Sequence, residues 1–118
     1  MTNYNPILFP ILDYNTVVSI PGGQTTSLSV NVTDLTMTGM LMPATFTGTT
    51  ITFNASVDDL NFFPLYDTAG TQLQTTVGTN RFVLFTPGDF SGIQYLQLVS
   101  GSVEAGNRLI TLVLRSLM

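Results

Sequence analysis

Between residues 50 and 57 apolar and polar side chains alternate without a break. Ile51, Phe53, Ala55 and Val57 are set against Thr50, Thr52, Asn54 and Ser56. A period of two sends each set to one face of an extended chain, whereas a helix would scatter both sets around its axis. The same rhythm recurs in residues 28–33, where Leu28, Val30 and Val32 alternate with Ser29, Asn31 and Thr33. That pattern predicts a half-buried strand with one wet face. No segment shows a helical stripe, so the chain is expected to be all-β.

Turn chemistry divides the remainder into short strands. Residues 16–20 are largely β-branched and stop at Pro21-Gly22-Gly23, and the more apolar residues 37–42 end at Pro43. Asp58-Asp59-Leu60-Asn61 reads as a polar turn, and Pro64 marks residues 62–66 as an edge strand or bulge. Asp67-Thr68-Ala69-Gly70 leads into residues 71–77 as a hairpin, and residues 81–85 form another strand. Thr86-Pro87-Gly88-Asp89-Phe90 predicts a single helical turn, with Thr86 as its cap and Pro87 at its first position. Residues 95–100 and 109–114 close the set, separated by a loop over 101–107. Strands recurring every 8–12 residues between Gly/Pro turns indicate an antiparallel sandwich or barrel.

At 118 residues there is room for one such domain, and a chain of this size buries enough surface for a core without disulfides or metals. Residues 15–118 are assigned to it. Residues 1–14 stand apart as an N-terminal arm, punctuated by Asn and Pro yet carrying Tyr4, Ile7, Leu8, Phe9, Ile11 and Leu12. Two placements are open: an edge strand or arm packed on its own domain, or an arm docked on a neighbouring subunit. Exposed, so apolar a segment would be an aggregation liability. Those six side chains are the candidate partner-contact residues.

Only 8% of residues are charged, against about 25% in ordinary soluble domains, and threonine takes the place of charge on the polar faces. Few like charges keep copies apart, which suits a surface covered by partners as well as one kept soluble by Thr, Asn, Gln and Ser. Lysine is absent, the basic residues are Arg81, Arg108 and Arg115, and the net charge is −4. Nucleic acid and anionic membranes demand clustered cations, so neither is an expected partner. The opening residues lack a basic n-region and are broken by Pro6 and Pro10, so they do not read as an export signal. No apolar run approaches the roughly 20 residues of a bilayer span.

Catalytic options are few. With no His and no Cys, the commonest general base and the strongest nucleophile are missing, as is any thiolate metal site. Asp58, Asp59, Asp67 and Asp89 sit in turns, where aspartate accepts local backbone N–H bonds, and Glu104 is the sole glutamate. Asp58, Asp59 and Asn61 offer oxygens to calcium without EF-hand spacing. Arg81 is expected to bond a turn carboxylate such as Asp67 or Asp89, with a ligand anion as the alternative. Asn31-Val32-Thr33 and Asn54-Ala55-Ser56 match the glycosylation sequon but fall inside strands. The reading is a non-enzyme with no cofactor and no metal. A sugar-binding module, with loops around Asn61, Asp89 and Asn107 gathered at one end of a sandwich, is the alternative to a structural role.

Residues 50–59, Asn61-Phe62-Phe63-Pro64-Leu65-Tyr66-Asp67 and Gly70, followed by Asn80-Arg81-Phe82-Val83-Leu84, Asp89-Phe90-Ser91-Gly92, Tyr95-Leu96-Gln97-Leu98 and Arg108-Leu109-Ile110-Thr111-Leu112-Val113, carry a further signal. Together they resemble small virion-associated proteins of tailed bacteriophages, over roughly residues 47–114. The family's usual Asp-Gly turn is Asp58-Asp59 here, and Gln97 stands where a basic residue is common. The resemblance implies a jelly-roll-like β-sandwich of galactose-binding or discoidin type, carried on a phage particle. It implies a head decoration or cement subunit, or a neck or tail accessory protein, assembled in the host cytoplasm. The implied partners are copies of itself, as a homotrimer, and the major capsid or another virion protein.

Overall fold

A computed structural model describes residues 13–117 as two antiparallel sheets packed face to face. The first has four strands: β1 (Asp13–Ile20), β9 (Arg108–Ser116), β3 (Leu35–Leu41) and β7 (Phe82–Leu84), in that spatial order. The second is built on β4 (Thr50–Ser56), which pairs with β8 (Tyr95–Ser100) on one side. Beyond β8 lies the two-residue β2 (Val30–Asn31). Along the other side of β4 run β5 (Phe63–Pro64) and β6 (Gln74–Thr76), one after the other. A 3₁₀ turn, Pro87–Phe90, follows β7, with Pro87 at its start and the Asp89 N–H bonded to the Thr86 carbonyl. Thr86 occupies the cap position without a side-chain bond.

The alternation read from the sequence sets the core. Ile51 and Phe53 of β4 and Leu96 and Leu98 of β8 point between the sheets from one side, and Ile110, Leu112 and Leu114 of β9, with Ile20 of β1 and Met37 and Met40 of β3, from the other. Phe53, Phe85 and Phe90 meet edge to face, with ring centroids 5.1–5.6 Å apart. This geometry aligns ring edges with ring faces and contributes about 0.5–1.5 kcal/mol per pair beyond burial. In β3 the register against β9 shifts between Met37 and Gly39, so Thr38 is an extra residue. Its hydroxyl is bonded to the Val113 carbonyl at 3.3 Å.

Several local expectations are corrected. Asp13 and Tyr14, assigned to the arm, are the first residues of β1, opposite Arg115 and Leu114. Leu28 is exposed, because the strand expected over 28–33 shrinks to Val30–Asn31 and only Val32 beyond it is buried. The hairpin expected after Asp67 survives as a single Tyr66–Gln72 bridge, since its arms pair with β4 instead. Pro64 does lie on an edge, opposite Asn54. Tyr4, Ile7, Leu8, Phe9, Ile11 and Leu12 lie outside the described residues.

Candidate functional site

Two polar clusters and one apolar face stand out. Glu104 is fully buried in the 101–107 loop, and every oxygen of its carboxylate is engaged. Oε1 accepts from the Thr47 N–H and the Arg108 Nε–H, both at 2.8 Å; Oε2 accepts from the Gly48 N–H at 2.9 Å and the Ser100 hydroxyl at 2.7 Å. Its backbone is tied too, to Gly23 and Gln24. Burial works to raise the Glu104 pKa, but the bonds from Thr47, Arg108, Ser100 and Gly48 outweigh it and hold the group at about 2. A Cβ on Gly48 would sit 2.2 Å from the Ser100 Oγ, so only glycine lets this backbone approach. Three loops are thereby knotted at one end of the sandwich, with no lone pair left over for substrate or metal.

The opposite end carries the Asp58 turn. Oδ1 of Asp58 accepts from the N–H groups of Leu60 and Asn61, at 3.0 and 2.9 Å, and Oδ2 from the Asn61 amide at 2.9 Å. These bonds hold its carboxyl well below the usual carboxylate range. Asp59 takes a left-handed φ of 61°, a conformation that glycine favours and that Asp tolerates. Asp67 is likewise occupied, by the N–H groups of Ala69 and Thr71. No group of three metal-ligating side chains occurs among the described residues. Arg81 makes no ion pair with Asp67 or Asp89 among the described residues, and its guanidinium lies instead against Gly78. Nor do Asn61, Asp89 and Asn107 share an end: Asn61 closes the Asp58 turn, while Asn107 bonds the Gly22 N–H beside Glu104, across the length of the strands.

The apolar face is the outer surface of the four-stranded sheet. Register places Val17, Thr111, Leu41 and Phe82 in one row across β1, β9, β3 and β7, and Asn15, Val113, Gly39 and Leu84 in the next. Val17 is 57% exposed, Phe82 56%, Leu84 78% and, one step along β9, Leu109 61%. The missing side chain of Gly39 makes room for the Phe82 ring, whose Cε1 lies 2.4 Å from where a Cβ would be. A groove of about 550 Å³ opens here, its walls including Asn15, Thr38, Phe82, Leu84, Phe85 and Val113. The outer surface of the other sheet is different. It carries Thr52, Asn54 and Gln97 beside the half-buried Tyr95 and Val99, with the Asn54 amide bonded to Gln97 at 3.3 Å. Sequence reading missed this face, although a signal was present. The unbroken run Phe82-Val83-Leu84-Phe85 is apolar at both parities, as in strands covered on both sides.

No protein-family model matches the chain, and no curated protein does. The fold is shared with the crystal structure of the SPBc2 prophage-derived protein YomS. The superposition has a TM-score of 0.63 at 14% identity, covering 95% of this chain and 100% of YomS.

Proposed function

We propose that this protein is a structural component of a bacteriophage particle, most specifically a head decoration or cement subunit that stabilises the shell through subunit contacts. The observation that carries the reading is the apolar outer face of the four-stranded sheet, built from Val17, Leu41, Phe82, Leu84 and Leu109 on a chain with few charges to oppose association. An uncovered apolar face of that kind marks an interaction surface, and protein is the partner this reading gives it. The shared fold with a prophage-derived protein and the sequence resemblance to virion-associated proteins support the phage setting. In this reading the sandwich is jelly-roll-like, of galactose-binding or discoidin type, and works as a homotrimer on the virion. The role is non-catalytic, since Glu104, Asp58 and Asp67 spend their oxygens on their own loops.

Rebinding to particles tests this. Purified protein added to shells stripped of it should bind saturably and raise the shell's melting temperature. Binding to isolated tails or necks but not shells would move the protein to an accessory position. Absence of binding to any particle component, together with a positive glycan array, would replace the reading with the carbohydrate module.

A further inference from the structure

The groove on the four-stranded sheet has a counterpart in the sequence. Residues 7–12, Ile7-Leu8-Phe9-Pro10-Ile11-Leu12, carry no charge and five large apolar side chains, and they run directly into β1 at Asp13. We propose that this groove is the seat of residues 7–12 of a second copy of the chain, so that subunits are linked by exchanged N-terminal arms. The proposal rests on the assembly reading above and names the contact that would carry it.

Three features favour this occupant. The first is length: six extended residues reach about 20 Å, enough to cross four strands spaced ~4.8 Å apart. The second is the mode of contact. Pro10 has no N–H to give to a ladder and Pro6 repeats the defect, so any pairing of this segment along a sheet edge would be interrupted. Its apolar side chains suit a sheet face instead, and the face offers Phe82, Leu84 and Val113. The third is direction. Asp13 and Tyr14 are already paired with Arg115 and Leu114, so a return of the arm over its own sheet would need a reversal inside residues 7–12 and would use up the residues that fill the groove. Each proline also biases the residue before it, Asn5 or Phe9, toward extended backbone. Twelve residues precede Asp13, a length that when extended spans up to roughly 40 Å, enough to meet a neighbour in the manner of an exchanged element.

The chain has no cysteine, so engineered pairs report cleanly. Leu8→Cys protein is mixed with Leu84→Cys protein and oxidised mildly. A disulfide-linked heterodimer is expected at tenfold or more above the yield with Gln97→Cys, which places the thiol on the other sheet. The double variant Leu8→Cys/Leu84→Cys should give a ladder of linked chains. An internally crosslinked monomer from the double variant, or no heterodimer above the Gln97→Cys control, overturns the proposal. Circular dichroism of each variant confirms that the sandwich is folded. Particle rebinding is read separately: crosslink failure with rebinding intact rejects arm exchange alone, and crosslinking without rebinding rejects the particle role alone.

Discussion

The Glu104 knot and the outer face of the four-stranded sheet are opposite solutions to one problem. At the knot a charge is buried and every bond it requires comes from the chain's own loops, Thr47, Gly48, Ser100 and Arg108. On the face, apolar surface is left in water and nothing among the described residues covers it. A region that satisfies itself serves the fold, and a region left unsatisfied is built for something outside the fold. The most chemically conspicuous residue in the sequence therefore belongs to stability, while ordinary Val, Leu and Phe side chains form the surface proposed to meet partners.

Substitutions can break that contrast, beginning with the largest effect. Glu104→Ala should lower the unfolding free energy by about 3–5 kcal/mol, since it strands Arg108 and the two loop N–H groups. Urea denaturation measures the loss, and the folded fraction should still self-associate like the parent. A cost near zero would show that the knot does not hold the loops. Next comes pH. Because the folded Glu104 pKa is depressed to about 2 from an ordinary 4.5, its ionised form stabilises the fold. That contribution is complete above the unfolded value and is lost as pH falls from about 5 toward 2, a loss of ~2–3 kcal/mol. Glu104→Gln should flatten this limb of the urea-midpoint profile.

Gly39→Ala pushes against the Phe82 ring and should cost about 1–2 kcal/mol while deforming the groove wall, measured by thermal melting alongside light scattering. Leu84→Glu is the sharpest separation of the two regions. It should change stability by no more than about 0.5 kcal/mol, yet abolish self-association and rebinding to stripped shells. Smallest of all, Thr52→Glu on the polar sheet should leave stability within about 0.5 kcal/mol and association untouched. If Leu84→Glu and Thr52→Glu behave alike in scattering, the two outer faces are not functionally distinct.

Much of the fold was legible because it rests on local rules. The alternation over residues 50–57 placed Ile51 and Phe53 in the core, Pro87 opened a helical turn, and Pro64 marked an edge. Strand partners were harder to read. The hairpin after Asp67 dissolved because β4 offers both of its arms a longer ladder than they offer each other. Glu104 was legible only in part: Ser100 and Arg108 lie four residues to either side of it, but the Thr47 and Gly48 N–H groups that complete its shell are distant in sequence and only the folded topology brings them in. Arg81 failed for the converse reason: a carboxylate nearby in sequence is not thereby nearby in space. The grouping of Asn61 with Asn107 failed on strand direction, which sends them to opposite ends.

Phe85 has a double membership. Its ring stacks edge to face with Phe53 and Phe90 in the core and also lines the groove. Whatever fills the groove therefore finishes the shielding of a ring on which the core already depends. Occupancy and cohesion are thermodynamically linked, so the melting temperature should climb with protein concentration as the groove fills. A particle built from such subunits would toughen as it assembles, each docking event hardening the interior of the subunit that receives it.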